Sequence, residues 1–516
     1  MFHNFLGNAT IINKNNLQLI LCKNRTQQLN DSLLYFDRSQ LPPFFEKHPE
    51  FNYLKADLLQ LYQKSNYKYR WFDKHGISEY GHLLYDKVIN MQSEGVAETH
   101  YKDKLDSLFQ HSKSIKIINA ENEIFLSAIY INYMEKVYCG LDISKSTALG
   151  WYIPRKNLCV LSRLDSILQK PNLLFEQDYN RIPQYNKLKK SLEKYRAIES
   201  NGGWQTIGIP ARFKNLKPKD TSEIIIKLKQ RFMIVGELQQ HEPNNLYDNQ
   251  LSSVVLNYKK RHGLSNSIVI DKELLSHLNV PISNRIQTIL VNMERCRWFS
   301  ADLLKFDTYI VVNIPSYQLT LYRNGNPDFA SRVVVGKSLT QTIIFSGLMS
   351  QIVFSPYWNI PSSIVKNEIL PELKKNKHYL EQHDMEWNGS NLRQRPGEKN
   401  ALGLIKFIFP NSNNIYLHDT PSKALFKNDK RAFSHGCIRV EKPKELAIEL
   451  LKNDRNWNTT KIDLAMKSGI QKVYNLKEKT PVYIGYFTAW VNETDEICFY
   501  DDIYSRDIRL YNALTK

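Results

Sequence analysis

Apolar residues recur at helical spacing through the first part of the chain. The stretches at 53–65, 124–138 and 187–198 place apolar side chains three and four residues apart, which is the period of an amphipathic helix. Turn-forming sequences such as "DKHGIS" and "SNGGWQ" separate these stretches. The pattern predicts a helical scaffold domain over residues 1–220.

A shorter helical pattern follows over residues 221–282. Its three apolar-periodic segments are closed in turn by Gly236, Gly263 and Pro281, and glycine or proline just after the last periodic residue is typical of a helix end. We therefore expect a small three-helix module here, followed by a linker helix over residues 283–305.

From residue 306 the apolar residues change to the spacing of strands. The segment "TYIVVNIPSYQLTLYRNG" (308–325) is rich in β-formers and contains two turn signals. We predict a mainly β domain over residues 306–490, with a helical insertion at about 362–400, and a C-terminal tail at 491–516. The fold class is therefore multidomain α+β, with a helical scaffold, a three-helix module and a mainly β domain.

Composition narrows the classes of partner. The chain has 516 residues, with 70 Lys and Arg against 52 Asp and Glu, so its net charge is +18 and anionic partners are favoured. The lysines are scattered and no basic run carries a nucleic-acid motif, so we do not expect nucleic acid as a partner. No apolar stretch is long enough to span a membrane, and the N-terminus shows no secretion signal.

The six cysteines are far apart and form no CxxC pair, which argues against a disulfide framework or a zinc ribbon. Cys437 differs from the other cysteines by its setting, "AFSHGCIRVE" (432–441). Within two residues of it lie His435, Gly436 and Arg439, and a second histidine, His418, stands upstream in "IYLHDTP".

This setting matches the needs of acyl transfer by a thiol. A base must take the thiol proton, and N–H donors must face the oxyanion of the tetrahedral intermediate. His418, at the end of a predicted strand, is the candidate base. Gly436 permits a tight turn in which successive N–H groups converge near the sulfur of Cys437.

Two other interpretations of Cys437 stay open at this point. In the first interpretation Cys437 is a packed core thiol, although the surrounding "SHGCIR" cluster is an unusual setting for a core residue. In the other, His418, His435 and Cys437 bind zinc, but neither a fourth ligand nor a water-polarising Glu is evident nearby. His378 and His383, in the predicted insertion, are assigned no function.

The segment "IYLHDTPSKALFKNDKRAFSHGCIRVEKPKELA" resembles the active-site segment of the YkuD-type L,D-transpeptidases, which carry a His, a spacer and then Ser-His-Gly-Cys. "SPYWNIPSSI", "RQRPGEKNALGLIKFIFP" and "VNMERCRW" are similar to the large YcbB-like subgroup. One departure is Ile343, which stands where the family usually has Pro in a Thr-Pro-x-Phe sequence, so we expect a local turn to differ.

The resemblance implies a reaction and a set of roles. A thiolate attacks a peptidoglycan tetrapeptide stem, D-Ala leaves, and an amine on a neighbouring stem resolves the thioester to give a 3→3 cross-link. The implied roles are nucleophile for Cys437, general base for His418, orientation of His418 by the backbone carbonyl of Asp419, and an oxyanion hole from the N–H groups of His435, Gly436 and Cys437.

The resemblance also implies contacts with the substrate. Arg439 anchors a substrate carboxylate or braces the loop, with a surface salt bridge as the equally weighted alternative. Tyr357 and Trp358 line the donor groove, although two aromatic residues on a strand also suit a core. Ser434 contacts substrate, and the insertion at about 362–400 forms a lid.

The implied partners are the stem peptides and glycan of peptidoglycan, with residues 221–282 as a peptidoglycan-binding-like module. Carbapenem-type β-lactams acylate Cys437, no metal or organic cofactor is needed, and the expected location is the periplasm or cell envelope, with peripheral attachment to the envelope. Two alternatives are an L,D-carboxypeptidase or wall-linkage hydrolase using the same Cys437, and a non-catalytic wall-binding scaffold. Fast alkylation by iodoacetamide near neutral pH is the expected sign of an enzyme.

Overall fold

The computed structural model describes residues 34–155, 164, 182–239, 244–300, 302 and 305–515. These residues form two compact units, the first of residues 34–139 with 164 and the second of residues 140–155 with 182–515. The predicted boundary at residue 220 does not coincide with the boundary between the units. The limits of the predicted domains stay predictions.

The first unit is mainly helical. Its helices and one short hairpin are α1 (Leu41–Lys47), α2 (Lys55–Lys64), α3 (Glu79–Ile89), α4 (Lys102–Gln110), α5 (Ala120–Met134), β1 (Phe72–Asp73) and β2 (Gly76–Ile77). The two helical patterns predicted in this region, at 53–65 and 124–138, coincide with α2 and α5.

A buried carboxylate organises this unit. Glu123 on α5 accepts hydrogen bonds from the backbone N–H groups of Arg70 (2.8 Å) and Trp71 (3.1 Å) and from the hydroxyl of Tyr62 (2.9 Å). Burial raises the pKa of Glu123 to about 7, although these hydrogen bonds oppose the shift. The network ties α5 to the hairpin, which explains why a polar residue sits inside an otherwise apolar core.

The second unit begins with helices and then becomes mainly β. Its helices before the sheet are α6 (Ile143–Ala148), α7 (Pro183–Ser200), α8 (Glu223–Val235), α9 (Asn249–Arg261), α10 (Lys272–Leu278) and α11 (Ile282–Trp298). Helix α11 confirms the predicted helix after the module, but it ends at Trp298 because Phe299 adopts an extended backbone.

The three helices predicted for residues 221–282 are confirmed as α8, α9 and α10, which share an apolar core. Gly236 ends α8 in the left-handed region, at φ +80°. Two buried lysines join the helices, because Lys229 and Lys259 reach the N-cap carboxylates Asp248 and Asp271 at 2.6 Å each. These two buried charges are therefore paired within the module.

Within the described residues, nine strands form one sheet. They are β3 (Thr308–Asn313), β4 (Gln318–Arg323), β5 (Asn326–Gly336), β6 (Phe345–Phe354), β10 (Ile405–Ile408), β11 (Leu417–His418), β12 (Ala432–Ser434), β13 (Ile438–Val440) and β14 (Lys472–Gly485). Their order in the sheet is β12-β5-β13-β11-β10-β6-β14-β3-β4, and a further pairing of β4 with β5 closes the sheet on itself.

Side chains alternate across each strand of this closed sheet. Ile310, Leu417 and Ile438, for example, point inward and are fully buried in the shared core. Their neighbours in sequence point outward, so the outer face of the sheet is where polar and functional side chains emerge.

The predicted insertion is only partly helical. It contains α12 (Ser362–Ile364), α13 (Leu370–Lys375), α14 (Tyr379–Gln382), β8 (Met385–Asn388) and β9 (Asn391–Gln394). Strand β7 (Trp358–Asn359) pairs with β9, so the second half of the insertion is a three-stranded sheet. The helical prediction was therefore wrong for this half, where strand pairing rather than local spacing sets the structure.

The predicted C-terminal tail is instead part of the second unit. Two helices, α15 (Pro443–Leu451) and α16 (Thr459–Lys467), lie between β13 and β14. Strands β15 (Ala489–Val491) and β16 (Ile497–Phe499) and helix α17 (Asp507–Thr515) follow β14. Phe499, Tyr504 and Leu510 are buried in the same core as the sheet, and Asp507 pairs with Arg295 of α11 at 2.8 Å. Because the apolar residues here come in short separate pieces, the sequence pattern did not reveal their burial.

No helix in the described residues is both long and apolar enough to cross a bilayer.

Candidate active site

Strand pairing places the two candidate catalytic residues on the same, outer face of the sheet, where the Cys437 thiol donates a hydrogen bond to the Asn414 carbonyl oxygen at 3.7 Å. Strands β11 and β13 are parallel neighbours, with Leu417 opposite Ile438 and His418 opposite Arg439. His418 ends β11, and Cys437 immediately precedes β13. Since Leu417 and Ile438 point into the core, His418 and Arg439 share the opposite face, next to the turn that carries the thiol.

The turn at residues 434–437 is held from both sides. Gly436 has φ +117°, in the region that favours glycine. The Ser434 hydroxyl accepts a hydrogen bond from the Gly436 N–H (3.1 Å) and donates one to the Cys437 carbonyl (2.6 Å). Thr342 donates to the Gly436 carbonyl at 2.8 Å, so the loop containing the unusual Ile343 still braces the turn.

These bonds change two of the predicted roles. The Gly436 N–H already donates to the Ser434 hydroxyl. It is therefore not free to donate to the oxyanion, as the resemblance implied. The N–H groups of His435 and Cys437 make no hydrogen bond to the part of the chain that the structure describes. Ser434 is only 2% exposed, which favours shaping of the turn over the substrate contact that the resemblance implied.

The orientation of His418 is set by its own neighbour. Its Nδ1 lies within hydrogen-bond distance of the Asp419 carbonyl oxygen. Because a carbonyl only accepts, Nδ1 carries the proton and Nε2 keeps its lone pair. The Asp419 carboxylate in turn accepts from the Leu404 N–H (2.9 Å) and from Lys423, which holds this segment in place. The contact between Asp419 and His418 is therefore present, and the catalytic role of that contact stays a prediction.

The surroundings of His418 hold it neutral. Burial lowers its pKa to about 3, and the positive charges of Arg439 and Lys406 add to the effect. Lys406 and Arg439 stand directly opposite His418 on β10 and β13, so the imidazole lies between two cations in one row of the sheet. Backbone hydrogen bonds with Asp419 and Leu402 oppose this lowering of the His418 pKa. A neutral imidazole is the form that accepts a proton.

The Cys437 thiol is also held neutral. Burial raises its pKa, while hydrogen bonding from the backbone and side chain of Tyr416 and the charge of Arg439 oppose the shift. The pair therefore rests as thiol and imidazole rather than as thiolate and imidazolium. The proton therefore moves when a substrate is attacked, and the fast alkylation near neutral pH named above is not expected of this resting pair.

Arg439 is placed to meet an anion. Its guanidinium is half-buried and makes no ion pair with any described residue, and its Nε has no hydrogen-bond partner there. Burial lowers its pKa. The alternative of a surface salt bridge is therefore not observed among the described residues, and an unpaired, half-buried guanidinium suits recognition of a carboxylate.

Tyr357 and Trp358 were both predicted to line the donor groove, but only Trp358 lies near the Cys437 thiol, through Tyr416. Trp358 interacts with the hydroxyl of Tyr416, which in turn interacts with Cys437. Tyr357 instead lies against Arg393, 4.2 Å from the ring centre, and its N–H binds Gln471. The aromatic wall beside the sulfur therefore consists of Trp358 and Tyr416.

The insertion reaches the active-site turn. Glu368, in its first part, contacts the His435 imidazole at 3.1 Å, which agrees with the predicted lid position. Among the described residues, no cluster of three or more His, Cys, Asp or Glu side chains is arranged to hold a metal ion.

Two segments of the chain match known protein families. Residues 307–484 match the family described as the L,D-transpeptidase catalytic domain, and residues 56–192 match a scaffold domain. This chain carries a YkuD-type L,D-transpeptidase catalytic domain. The accompanying scaffold domain is consistent with the YcbB-like subgroup.

A Haemophilus influenzae protein named "Putative L,D-transpeptidase" is 34% identical over 246 residues, which cover 44% of this chain and 49% of that protein. The chain thus spans about half the length of the curated relative it matches. A solved L,D-transpeptidase from Stackebrandtia nassauensis shares 11% identity over 52% of this chain and 95% of its own, at a TM-score of 0.23. An L,D-transpeptidase in complex with imipenem shares 14% identity over 35% and 61% of the two chains, at 0.20.

Two residues of the L,D-transpeptidase site were missed by sequence reasoning. Lys406 faces His418 across β10 and β11, and Tyr416 contacts the sulfur. A signal existed for each, because Lys406 is a lone charge in the apolar strand "LIKFIF" and Tyr416 stands two residues before His418, hence on the same strand face.

Exchange of Gly436 for alanine tests the turn of the L,D-transpeptidase domain. A Cβ at this position meets only two carbonyl oxygens at 3.9 Å, so the damage comes from the positive φ and not from a clash. We expect the displaced N–H groups to lower the rate by about 10²–10³-fold, measured as D-Ala release from a tetrapeptide.

Gly469→Ala is the matched control for this experiment. Gly469 also has a positive φ, +68°, and open space around it, but it lies outside the active site. We expect this control to lose about 1 kcal/mol of stability and to keep its activity. Equal activity losses in both variants would contradict a special role for the turn.

The raised pKa of Cys437 predicts how the thiol reacts with iodoacetamide. Because the thiolate is the reactive form, a raised pKa means slow alkylation at neutral pH, with a rate that keeps increasing beyond about pH 8.5, the ordinary cysteine value. Mass spectrometry of the Cys437 peptide between pH 6 and 10 measures this rate. A plateau already reached near pH 7 contradicts the neutral resting pair.

Proposed function

We propose that the protein is a cysteine L,D-transpeptidase that forms 3→3 cross-links in peptidoglycan. The observation that supports the proposal is the pair of neighbouring parallel strands that carry a neutral, oriented His418 and, at the start of the second strand, Cys437 on one face of the sheet. Nε2 of His418 takes the thiol proton as the sulfur attacks the carbonyl carbon of the third stem residue. Collapse of the tetrahedral intermediate breaks the bond to D-Ala, and the imidazolium returns its proton to the leaving amine.

The resulting thioester is resolved by a second amine. The amine of a neighbouring stem attacks the thioester carbonyl, loses its proton to His418, and displaces the Cys437 sulfur, which is reprotonated. The N–H groups of His435 and Cys437 are the donors best placed in the turn to stabilise the oxyanion in both steps.

The positive charge around the site suits a donor stem peptide that carries a carboxylate. Arg439 carries no counter-charge, and Lys406 lies one strand further on, with no acidic partner among the described residues. Its pKa is lowered by burial, which marks it as partly removed from water. We propose that Arg439 binds a carboxylate of the donor stem and that Lys406 adds to the positive field.

The proposed setting is the periplasm or cell envelope, where the substrate is found. The net charge of +18 favours association with an anionic envelope. β-Lactams of the carbapenem type are proposed to acylate Cys437, because a strained lactam carbonyl takes the place of the stem carbonyl. The imipenem complex of a distant structural relative supports testing this class first.

The test uses the full chain with a disaccharide-tetrapeptide and follows products by mass spectrometry. Loss of D-Ala together with a cross-linked dimer supports transpeptidation. Loss of D-Ala without a dimer identifies the L,D-carboxypeptidase, in which water resolves the same thioester. An untouched stem, with the protein still bound to cell wall, identifies the non-catalytic scaffold.

A further inference from the structure

The insertion leaves and rejoins the closed sheet at one place, here called its root. The chain leaves the sheet after Phe354, the last residue of β6, and returns at Ile405, the first residue of β10, and these two residues stand opposite each other. Asn400 lies between the end of β9 and the start of β10 and is only 1% exposed. The reaction described above uses no atom of this buried amide.

One side of Asn400 faces the two ends of the insertion. Its Nδ2 donates to the carbonyl oxygens of Pro356 (3.1 Å), Arg395 (2.8 Å) and, at a longer distance, Gln394 (3.3 Å). Pro356 lies just after β6, whereas Gln394 ends β9 and Arg395 follows it. A single amide therefore closes the root, because it bonds to the outgoing and to the returning chain at once.

The other side of Asn400 faces the segment that leads into β10. Its Oδ1 accepts a hydrogen bond from the Leu402 N–H (2.8 Å), and its backbone carbonyl accepts one from the Gly403 N–H (2.8 Å). The amide thus uses both its donor group and its acceptor oxygen. It fixes the positions of its partners, because moving any of them leaves a buried polar group without a hydrogen bond.

Residues 402–404, here called the cradle, hold the segment that carries His418. The Leu402 backbone hydrogen-bonds to the His418 imidazole, and the Leu404 N–H donates to the Asp419 carboxylate at 2.9 Å. Gly403 has φ +62°, and a Cβ at this position would overlap the same carboxylate, so glycine is needed for this close approach. The cradle therefore contacts both the imidazole and the residue whose carbonyl orients it.

We propose that Asn400 is a positioning residue that ties the root of the insertion to His418 through the cradle. The assignment rests on the proposed function, in which His418 is the base. Because Asn400 bonds to the root on one side and to the cradle on the other, a displaced root moves the imidazole relative to the Cys437 thiol. A displacement of about 1 Å is enough to cost about 10²-fold in rate. The insertion thereby helps to set the geometry of the base.

Two substitutions separate the two sides of this amide. Asn400→Ala removes every hydrogen bond of the side chain, and we expect kcat for D-Ala release to fall by about 10²-fold. Asn400→Asp has nearly the same shape and keeps an oxygen for the Leu402 N–H, but it loses the N–H₂ group that holds the root. We expect this variant to lose about tenfold or more. Full activity in Asn400→Asp would overturn the proposal, because the link to the root would then be dispensable.

The pH profile distinguishes positioning from a general loss of stability. Burial is the largest cause of the low pKa of His418, so a loosened cradle that admits water should raise this pKa towards its ordinary value of about 6.5. The charged and titratable neighbours of the imidazole are unchanged in the variant: Lys406 on β10, Arg439 on β13, and Tyr416 and Asp419 in its own segment. An acid limb of kcat/KM should therefore move up towards about pH 6.5 in Asn400→Ala. A profile that stays flat through pH 6.5 in this variant contradicts a role through His418.

Asn292→Ala is the matched control. Asn292 is also a fully buried amide, and its Nδ2 donates to the Thr288 carbonyl (2.7 Å) and the Thr488 hydroxyl (2.8 Å), while its Oδ1 accepts from the Thr488 N–H (3.0 Å). It joins α11 to the segment after β14, and neither carries a residue of the active site. We expect this variant to be less stable in thermal unfolding and to keep its kcat and its pH profile. Equal losses of kcat in Asn292→Ala and Asn400→Ala would identify general destabilisation and sink the proposal.

A second variant leaves Asn400 in place, in case its substitution prevents folding. Gln394 accepts from the Ala401 N–H (2.8 Å) and donates to the His383 carbonyl inside the insertion (3.0 Å). Gln394→Glu keeps an oxygen for the first bond and loses the donor of the second, so it weakens the root beside Asn400 without altering the cradle itself.

Amide hydrogen exchange of the full chain, followed by mass spectrometry, needs no turnover. We expect Gln394→Glu to exchange about tenfold faster in the peptides that cover the cradle and His418, as for the loss of one hydrogen bond, and to exchange as the unaltered chain does in β3. Unchanged exchange in the cradle would refute the link between root and base. If the unaltered chain releases no D-Ala, the proposed function fails, while hydrogen exchange still decides whether the root holds the cradle.

Discussion

We expect Cys437→Ala to release no D-Ala above background, a loss of about 10⁴-fold or more, because no thioester forms without the nucleophile. The side chain is half-buried in a braced turn, and alanine fits there without changing the backbone. Mass spectrometry of intact protein treated with a carbapenem provides an independent readout. The unaltered chain should gain the mass of the drug, and the variant should not.

Cys139→Ala is the control for that experiment. Cys139 is also half-buried, so both variants remove a thiol of similar exposure. Retained activity and acylation in the Cys139 variant, with both lost in the Cys437 variant, assigns the chemistry to Cys437. A drug adduct on the Cys437→Ala protein would contradict the assignment.

The second large effect is expected for His418→Gln, which we predict to lower kcat by about 10²–10⁴-fold. Glutamine has a similar size, and its amide N–H₂ can still donate to the Asp419 carbonyl, so the variant removes the base with little change in packing. D-Ala release measures the rate, and thermal unfolding checks the fold. His378→Gln, on the exposed surface of the insertion, is the control and should retain full activity.

The same histidine sets the acid limit of the reaction. Catalysis needs neutral His418, and burial together with Arg439 lowers its pKa to about 3. Since the neutral form persists above that pKa, kcat/KM should not decline through pH 6.5, where an ordinary histidine protonates. A pH profile of kcat/KM, with circular dichroism to confirm folding at each pH, tests this. An acid limb centred near 6.5 would show that His418 is more exposed than the structure indicates.

Local periodicity was a good guide wherever an element owes its structure to its own sequence. The module helices α8 to α10, helix α11, and the hairpin of β3 and β4 were predicted because spacing and helix-end residues are local signals. The second half of the insertion and the C-terminal segment were not. There, β8 and β9 pair with each other and with β7, and Phe499 and Leu510 are buried by distant residues, so the deciding contacts are not local.

The chemistry of the site divides in the same way. The sequence by itself determined that a thiol, a flexible glycine and two histidines stand in a pattern typical of L,D-transpeptidases, because residue identity and spacing are written along the chain. Only the tertiary structure decided which groups meet. Parallel pairing of β11 with β13 sets His418 against Arg439, and β10 adds Lys406 to the same row. The hydroxyl of Ser434 takes the Gly436 N–H, and burial keeps both thiol and imidazole neutral, since pKa values and hydrogen-bond partners depend on neighbours that only folding brings together.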